Sequence, residues 1–392
     1  MKKGFKFLHK MEVIIDKNKD DIVSPIIKKD EHIFTFPGKW IDENLDYPTL
    51  FNNFIYILDY FDLDMNMSGL ASINKESIFE RYVFSMNKTN YVSGFVFRGN
   101  ETYNNLSFIS YVNYLKQVHN IEIEDMIEWF FNEYIFKEFN ISNFNISLST
   151  DKKYINRCKV LFPEFDGILK KYRIFTEHKT ISNELLEATK EAIKIDDCPS
   201  LIRDKYLIVN KENDDIKNIL FLLFCDQSHI SYINENLNSS TFAKLIIKHQ
   251  VSIHDFDDRD FQLKPVDYLL DKGIIYLEDD ILKIKPEVLA VCKYLYDNNF
   301  IRNHNYDIEK EFVSRGYLLP YSKLFAPEEA DYLNYNLNNS KFGDALALSN
   351  KYRHVDVTTE NEQQIYNDYL IGLRMLILII VKINDELCEF ET

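Results

Sequence analysis

The spacing of apolar positions changes period along the chain, and each change marks an element. Residues 33–36, Ile-Phe-Thr-Phe before Pro37 and Gly38, read as a short strand ending in a turn. Residues 77–86 and 91–97 are Phe/Val/Tyr-rich runs joined by 87–90, Asn-Lys-Thr-Asn, the pattern of a hairpin. Between and after them the period lengthens to that of helices, over 47–60, 106–118 and 123–139. In the last of these Ile123, Met126, Ile127, Phe130, Tyr134 and Phe136 recur at near-helical spacing. Residues 1–150 therefore read as an α+β domain.

The stretch 140–153 is rich in Asn and Ser and has no helical period, which predicts a linker. Helical patterns follow at 163–175 and 182–193, a strand at 206–209 and a buried helix at 216–224. Residues 239–299 predict three helices and a hairpin: a helix from Ser240 to Gln250, a short second element, and a third helix over 261–272 stopped by Gly273. Strands at 274–277 and 281–284 then flank Glu278-Asp279-Asp280. Beyond residue 319 come two long helical patterns, 327–337 with a continuation to 348, and 360–387. The expected organisation is mainly α in three regions: 1–150, 151–318 and 319–392.

Composition narrows the function classes. Apolar residues make up 46% of the 392, enough to bury sizeable cores and inconsistent with global disorder. With 30 Phe and 25 Tyr against 2 Trp, the aromatic content looks like nucleotide bias, so aromatic stripes carry little functional weight. The net charge of −16 repels phosphate backbones and anionic lipid. The basic pairs Lys2-Lys3 and Lys28-Lys29 are too short to reverse that field. Cys158, Cys198, Cys225, Cys292 and Cys388 are odd in number and scattered, as expected of thiols in a reducing, cytoplasmic compartment. The most apolar run, 371–381, contains Gly372 and Arg374 and is too short to span a bilayer. It predicts a buried helix, and no membrane partner is expected.

Familiar catalytic and cofactor motifs are missing. Gly94 and Gly99 have the spacing of a phosphate loop, but Asn100-Glu101 stands where that loop needs Lys and Ser/Thr. No HExxH, GxSxG or DxDxDG occurs, so no cofactor and no metal are expected. His249 and His254, with Asp255, Asp257 and Asp258 nearby, are chemically able to hold a metal, yet a solvated helix end explains them more simply. Asp62 and Asp64 receive the same reading.

The order of elements over 239–299 resembles a winged helix-turn-helix. Its third helix would present Arg259 and Lys264 to nucleic acid. Asp255, Asp257, Asp258 and Asp260 crowd the start of that helix, and three acids form the wing tip. These would meet phosphate directly, so a structural or protein-binding module is expected and DNA is not the expected partner.

The segment Leu348-Ser349-Asn350-Lys351-Tyr352-Arg353-His354, followed by a polar connection and a long helix, resembles the HEPN family. These helical-bundle domains occur in toxins, abortive-infection systems and CRISPR-associated ribonucleases. One local form of the family motif reads Leu-Arg-Asn-Lys-Tyr-x-His, and Ser349 occupies the place of its Arg. The resemblance implies metal-independent RNA cleavage, with His354 handling protons and a guanidinium stabilising the phosphorane. Arg353, one helical turn after Ser349, is placed to reach the vacated position, with Asn350 beside it. The resemblance also implies a two-fold homodimer through the last helices. Three readings follow. The first is a non-catalytic assembly protein of a bacterial defence or mobile-element system, built on a degenerate HEPN-like bundle. The second is a HEPN-type endoribonuclease toxin acting on RNA, and the third a DNA-binding regulator. The missing Arg weighs against the second and the acidic field against the third.

Overall fold

A computed structural model describes residues 10–21, 23–28, 31–76, 80, 89–189, 193–256, 260–354 and 361–391. In chain order its elements begin with β1 (Lys10–Asp16), β2 (Val23–Lys28), β3 (Glu31–Pro37), α1 (Gly38–Glu43), α2 (Tyr47–Tyr56) and α3 (Phe95–His119). Next is α4 (Ile123–Trp129), which passes through a π turn at Phe130–Tyr134 into α5 (Ile135–Phe139), then α6 (Tyr154–His178) and α7 (Asn183–Ala188). There follow β4 (Tyr206–Val209), α8 (Asp214–Phe224), α9 (Phe242–Lys248), α10 (Asp260–Asp271), β5 (Tyr276–Glu278), β6 (Ile281–Lys283) and α11 (Pro286–Asn298). Last come β7 (Phe300–Arg302), α12 (Asp307–Ser314), β8 (Leu318–Tyr321), α13 (Pro327–Leu337), α14 (Leu348–His354) and α15 (Glu362–Glu391). Helix dominates and the sheets are small, as the sequence leads one to expect.

The chain forms two compact units, one from residues 1–71, 78–202 and 329–392, the other from 72–77 and 203–328. These differ from the three consecutive regions expected above. The first and last regions share one core because the apolar run of the last helix is covered by elements from the first two hundred residues.

That helix, α15, is the spine of the first unit. Leu373 and every residue from Met375 to Ile383 are buried, so the helix is apolar nearly all round and needs cover on every side. Helix α6 lies along it, at closest approach where Gly372 faces Leu161 and Phe162. Four buried polar residues of α15 each find a partner on a different segment. Asp368 accepts from Lys351 and Tyr352 of α14, and Arg374 donates to Glu101 of α3. Lys382 donates to Glu329 of α13 at 3.0 Å and to the Met65 carbonyl at 2.9 Å. Glu386 accepts from Tyr172 of α6, from the Ser200 hydroxyl and from the Leu201 N–H. An ionic or polar group this deeply buried is tolerable only when so paired.

The sheet of this unit has the order β1-β3-β2, with β1 parallel and β2 antiparallel to β3. It packs on α3, with Phe34 and Tyr103 ring centroids 4.3 Å apart. Gly38 makes the tight turn from β3 into α1, since a Cβ there would lie 2.8 Å from the Asp16 carbonyl atoms. Three expectations are corrected here. Residues 95–97 open α3 rather than end a strand, and the other strand of the expected hairpin lies mostly outside the described residues. Residues 140–153 are no linker: Ile141, Phe144 and Ile146 are buried, and Asn132 holds Ile146 through hydrogen bonds at 2.9 and 3.1 Å. Helix α13 stops at Leu337 instead of continuing to 348.

The second unit has its own core, drawn from Leu207 through Leu318. Its sheet is antiparallel, in the order β7-β4-β8. Within it α9 leads to a short stretch at Val251 and Ser252 that pairs with β6, then a 3-10 turn (Ile253–Phe256), α10, and the β5–β6 hairpin. Gly273 ends α10 at φ +66°, the left-handed stop expected from its position.

Candidate functional site

Ser349, Asn350 and Arg353 share one face of α14 and line a cleft of about 340 Å³. Ala347, just before the helix, sits at φ 51°, a conformation that costs an alanine roughly 1–2 kcal/mol. Packing therefore holds the start of α14. Tyr352 supplies much of it: its ring stacks on Phe162 of α6 at 5.2 Å and 7°. Its hydroxyl donates to Asp368 Oδ2 at 2.8 Å, and Lys351 Nζ donates to the same oxygen at 2.6 Å. Gln364 donates to the other oxygen at 2.7 Å, so the Asp368 carboxylate fixes α14 on α15. Burial beside this carboxylate pushes the Cys158 thiol up to about 12, which keeps it protonated and unreactive.

The cation of the cleft is engaged. The Arg353 guanidinium donates to Asp166 Oδ2 and to the Phe162 carbonyl at 2.8 Å, both on α6. Its Nε is buried and has no partner among the described residues. Ser349 is buried, and Asn350 donates to Asn339 at 2.6 Å. Asp166 and Asp196 bring two carboxylates to the walls; Asp196 accepts from Asn334 at 2.6 Å and from Lys341 at 3.2 Å. Exposed Lys194 is the remaining cation lining the cleft among the described residues. The backbone of His354 closes α14; its side chain lies outside the described residues.

The structure thus brings Ser349, Asn350 and Arg353 together and adds Asp166 and Asp196, which sequence reasoning missed. Neither acid carries a local signal, because each meets α14 from a segment more than a hundred residues away. The Asn-rich run 334–339 was the one local hint of a polar wall.

Of the residues expected to touch nucleic acid, Arg259 lies outside the described residues. Lys264 is exposed on α10, where Asp260, Asp267 and Asp271 are exposed at helical spacing with it. On the hairpin, Tyr276 and Leu277 are each 43% exposed beside Glu278, Asp279 and Asp280. No cluster able to hold a metal occurs among the described residues. His254 lies 3.8 Å from Asp280, and Asp62 accepts the backbone N–H groups of Asp64 and Asn66, shaping its own loop. No helix among the described residues is long and apolar enough to cross a membrane. No protein-family model, curated protein or solved structure matches the chain.

Proposed function

We propose that the chain is a non-catalytic assembly protein of a bacterial defence or mobile-element system, joining a degenerate HEPN-like bundle to a winged-helix-like module. The observation that carries this reading is the state of Arg353. A ribonuclease of this type needs a guanidinium aimed at the developing phosphorane. Here Ser349 stands at the motif position, and the nearest guanidinium is tied to Asp166 and the Phe162 carbonyl. Two carboxylates in the same cleft oppose a phosphate further.

The pairing of Val251 and Ser252 with β6, the turn, α10 and the β5–β6 hairpin supports the winged-helix reading of residues 239–299. The exposed side of α10 carries three acids to one lysine, and the hairpin adds exposed Tyr276 and Leu277 among acids. Such a surface suits a basic protein partner and repels DNA. The two-fold pairing implied by the HEPN resemblance must use a surface other than the apolar stretch of α15, which its own unit covers.

Purified protein incubated with total RNA in the absence of metal, beside His354→Ala, tests the reading. Intact RNA in both samples is the expected result. Cleavage by the parent that the variant loses would establish the ribonuclease instead.

A further inference from the structure

A second cavity, of about 120 Å³, opens in the first unit between α2, the π turn after α4, and α15. Four rings line it: Phe51 from α2, Trp129 at the end of α4, and Phe130 and Tyr134 from the π turn. Phe51 and Trp129 lie nearly parallel with centroids 6.5 Å apart, as do Phe130 and Tyr134 at 5.4 Å. A π turn interrupts regular helical hydrogen bonding, is rare, and is frequently found at functional sites. Here three of the four aromatic residues of one short segment, Trp129, Phe130 and Tyr134, stand around the same space.

The α15 wall contributes Ile380 and Asn384. The Asn384 Oδ1 atom is buried and accepts no hydrogen bond from the described residues. An orphaned buried carbonyl is costly, and a native structure keeps one where something else satisfies it. The other polar side chains lining the space are Tyr134, through its hydroxyl, and exposed Asn52. An enclosed cavity of about 150 Å³ holds benzene, and this space, smaller but open to solvent on one side, has room for no more than a single ring. The space, its aromatic walls and the unsatisfied Asn384 oxygen therefore match one ring with one donor.

We propose that this cavity binds a free small molecule consisting of a single aromatic ring that carries a hydroxyl or amino donor. The ring lies among Phe51, Trp129, Phe130 and Tyr134, and the donor reaches Asn384 Oδ1. This site is separate from the α14 cleft and does not rest on the function proposed above.

The test is ligand-observed fluorine NMR on the full-length protein with p-fluorophenol, p-fluoroanisole and p-fluorotoluene. All three place a ring of similar size, but only the phenol donates. Saturable binding of the phenol, about tenfold tighter than the other two, is expected from one added hydrogen bond. The Asn384→Leu variant should bring the phenol to the level of the toluene. Absence of saturable phenol binding, or anisole or toluene binding as tight as phenol to the parent protein, overturns the proposal without reference to any variant. Displacement of p-fluorophenol by an internal-tyrosine peptide that binds more tightly would assign the cavity to a partner's side chain and also overturn it.

Discussion

Lys382 and Glu329 are both completely buried, and their ion pair at 3.0 Å joins α15 to α13. Glu329 also accepts the Met67 N–H at 2.8 Å, so its charge is needed by two segments at once. Removing one member leaves an uncompensated charge in the core, which costs about 3–5 kcal/mol, a large share of a typical domain's 5–15. Lys382→Met should therefore lower the urea midpoint far more than the double change Lys382→Met with Glu329→Gln, and a double-mutant cycle measures the difference. A second carboxylate acts through pH. Burial opposes ionisation of Asp42, but hydrogen bonds from Tyr114 at 2.6 Å and His119 at 2.7 Å overcome it and hold the carboxyl below its usual range. The folded state then binds fewer protons than the unfolded one. This contribution is present at neutral pH and lost on acidification through the carboxylate range. The stability gap between parent and Asp42→Asn should shrink from about pH 6 to about pH 3, measured by urea titration.

Between elements, α6 and α15 approach closely at Gly372. An added Cβ would lie 2.8 Å from Phe162 Cζ and 2.9 Å from Leu161 Cδ2. Alanine improves helix propensity by about 1 kcal/mol, whereas overpacking a filled core costs about 1–3. Phe162 cannot yield freely because it stacks on Tyr352. Gly372→Ala should therefore destabilise, by on the order of 1–2 kcal/mol in urea unfolding. This level also shows what the sequence made legible. Helices with a strong apolar period, such as α8, α10 and α15, stand close to where their spacing placed them, as does the hairpin β5–β6. Residues 91–97 misled because a run of β-branched and aromatic residues reads as a strand, whereas 95–97 open α3 with Phe95 and Val96 exposed and Phe97 buried. The run 140–153 misled because irregular backbone can be ordered by side chains such as Asn132. The α14 cleft was half legible: one helical turn gathers Ser349, Asn350 and Arg353, but the acid that ties up Arg353 comes from α6.

For the whole molecule, the decisive feature is that one unit is assembled from three separated stretches and the other almost entirely from 203–328. The described core residues of the second unit all come from that stretch. Residues 203–328 expressed alone should melt cooperatively by circular dichroism. Residues 1–328, lacking α15 but keeping the second unit whole, should be insoluble or retain only the transition of the second unit. The same arrangement sets an order of events during synthesis. Residues 203–328 can close as soon as they leave the ribosome, while the earlier stretches must wait for α15 with their apolar faces uncovered. At about 5–20 residues per second, the roughly 190 residues between those stretches and the end of α15 impose a delay of roughly 10–40 s. Through that interval the nascent chain exposes apolar surface of the kind that chaperones shelter.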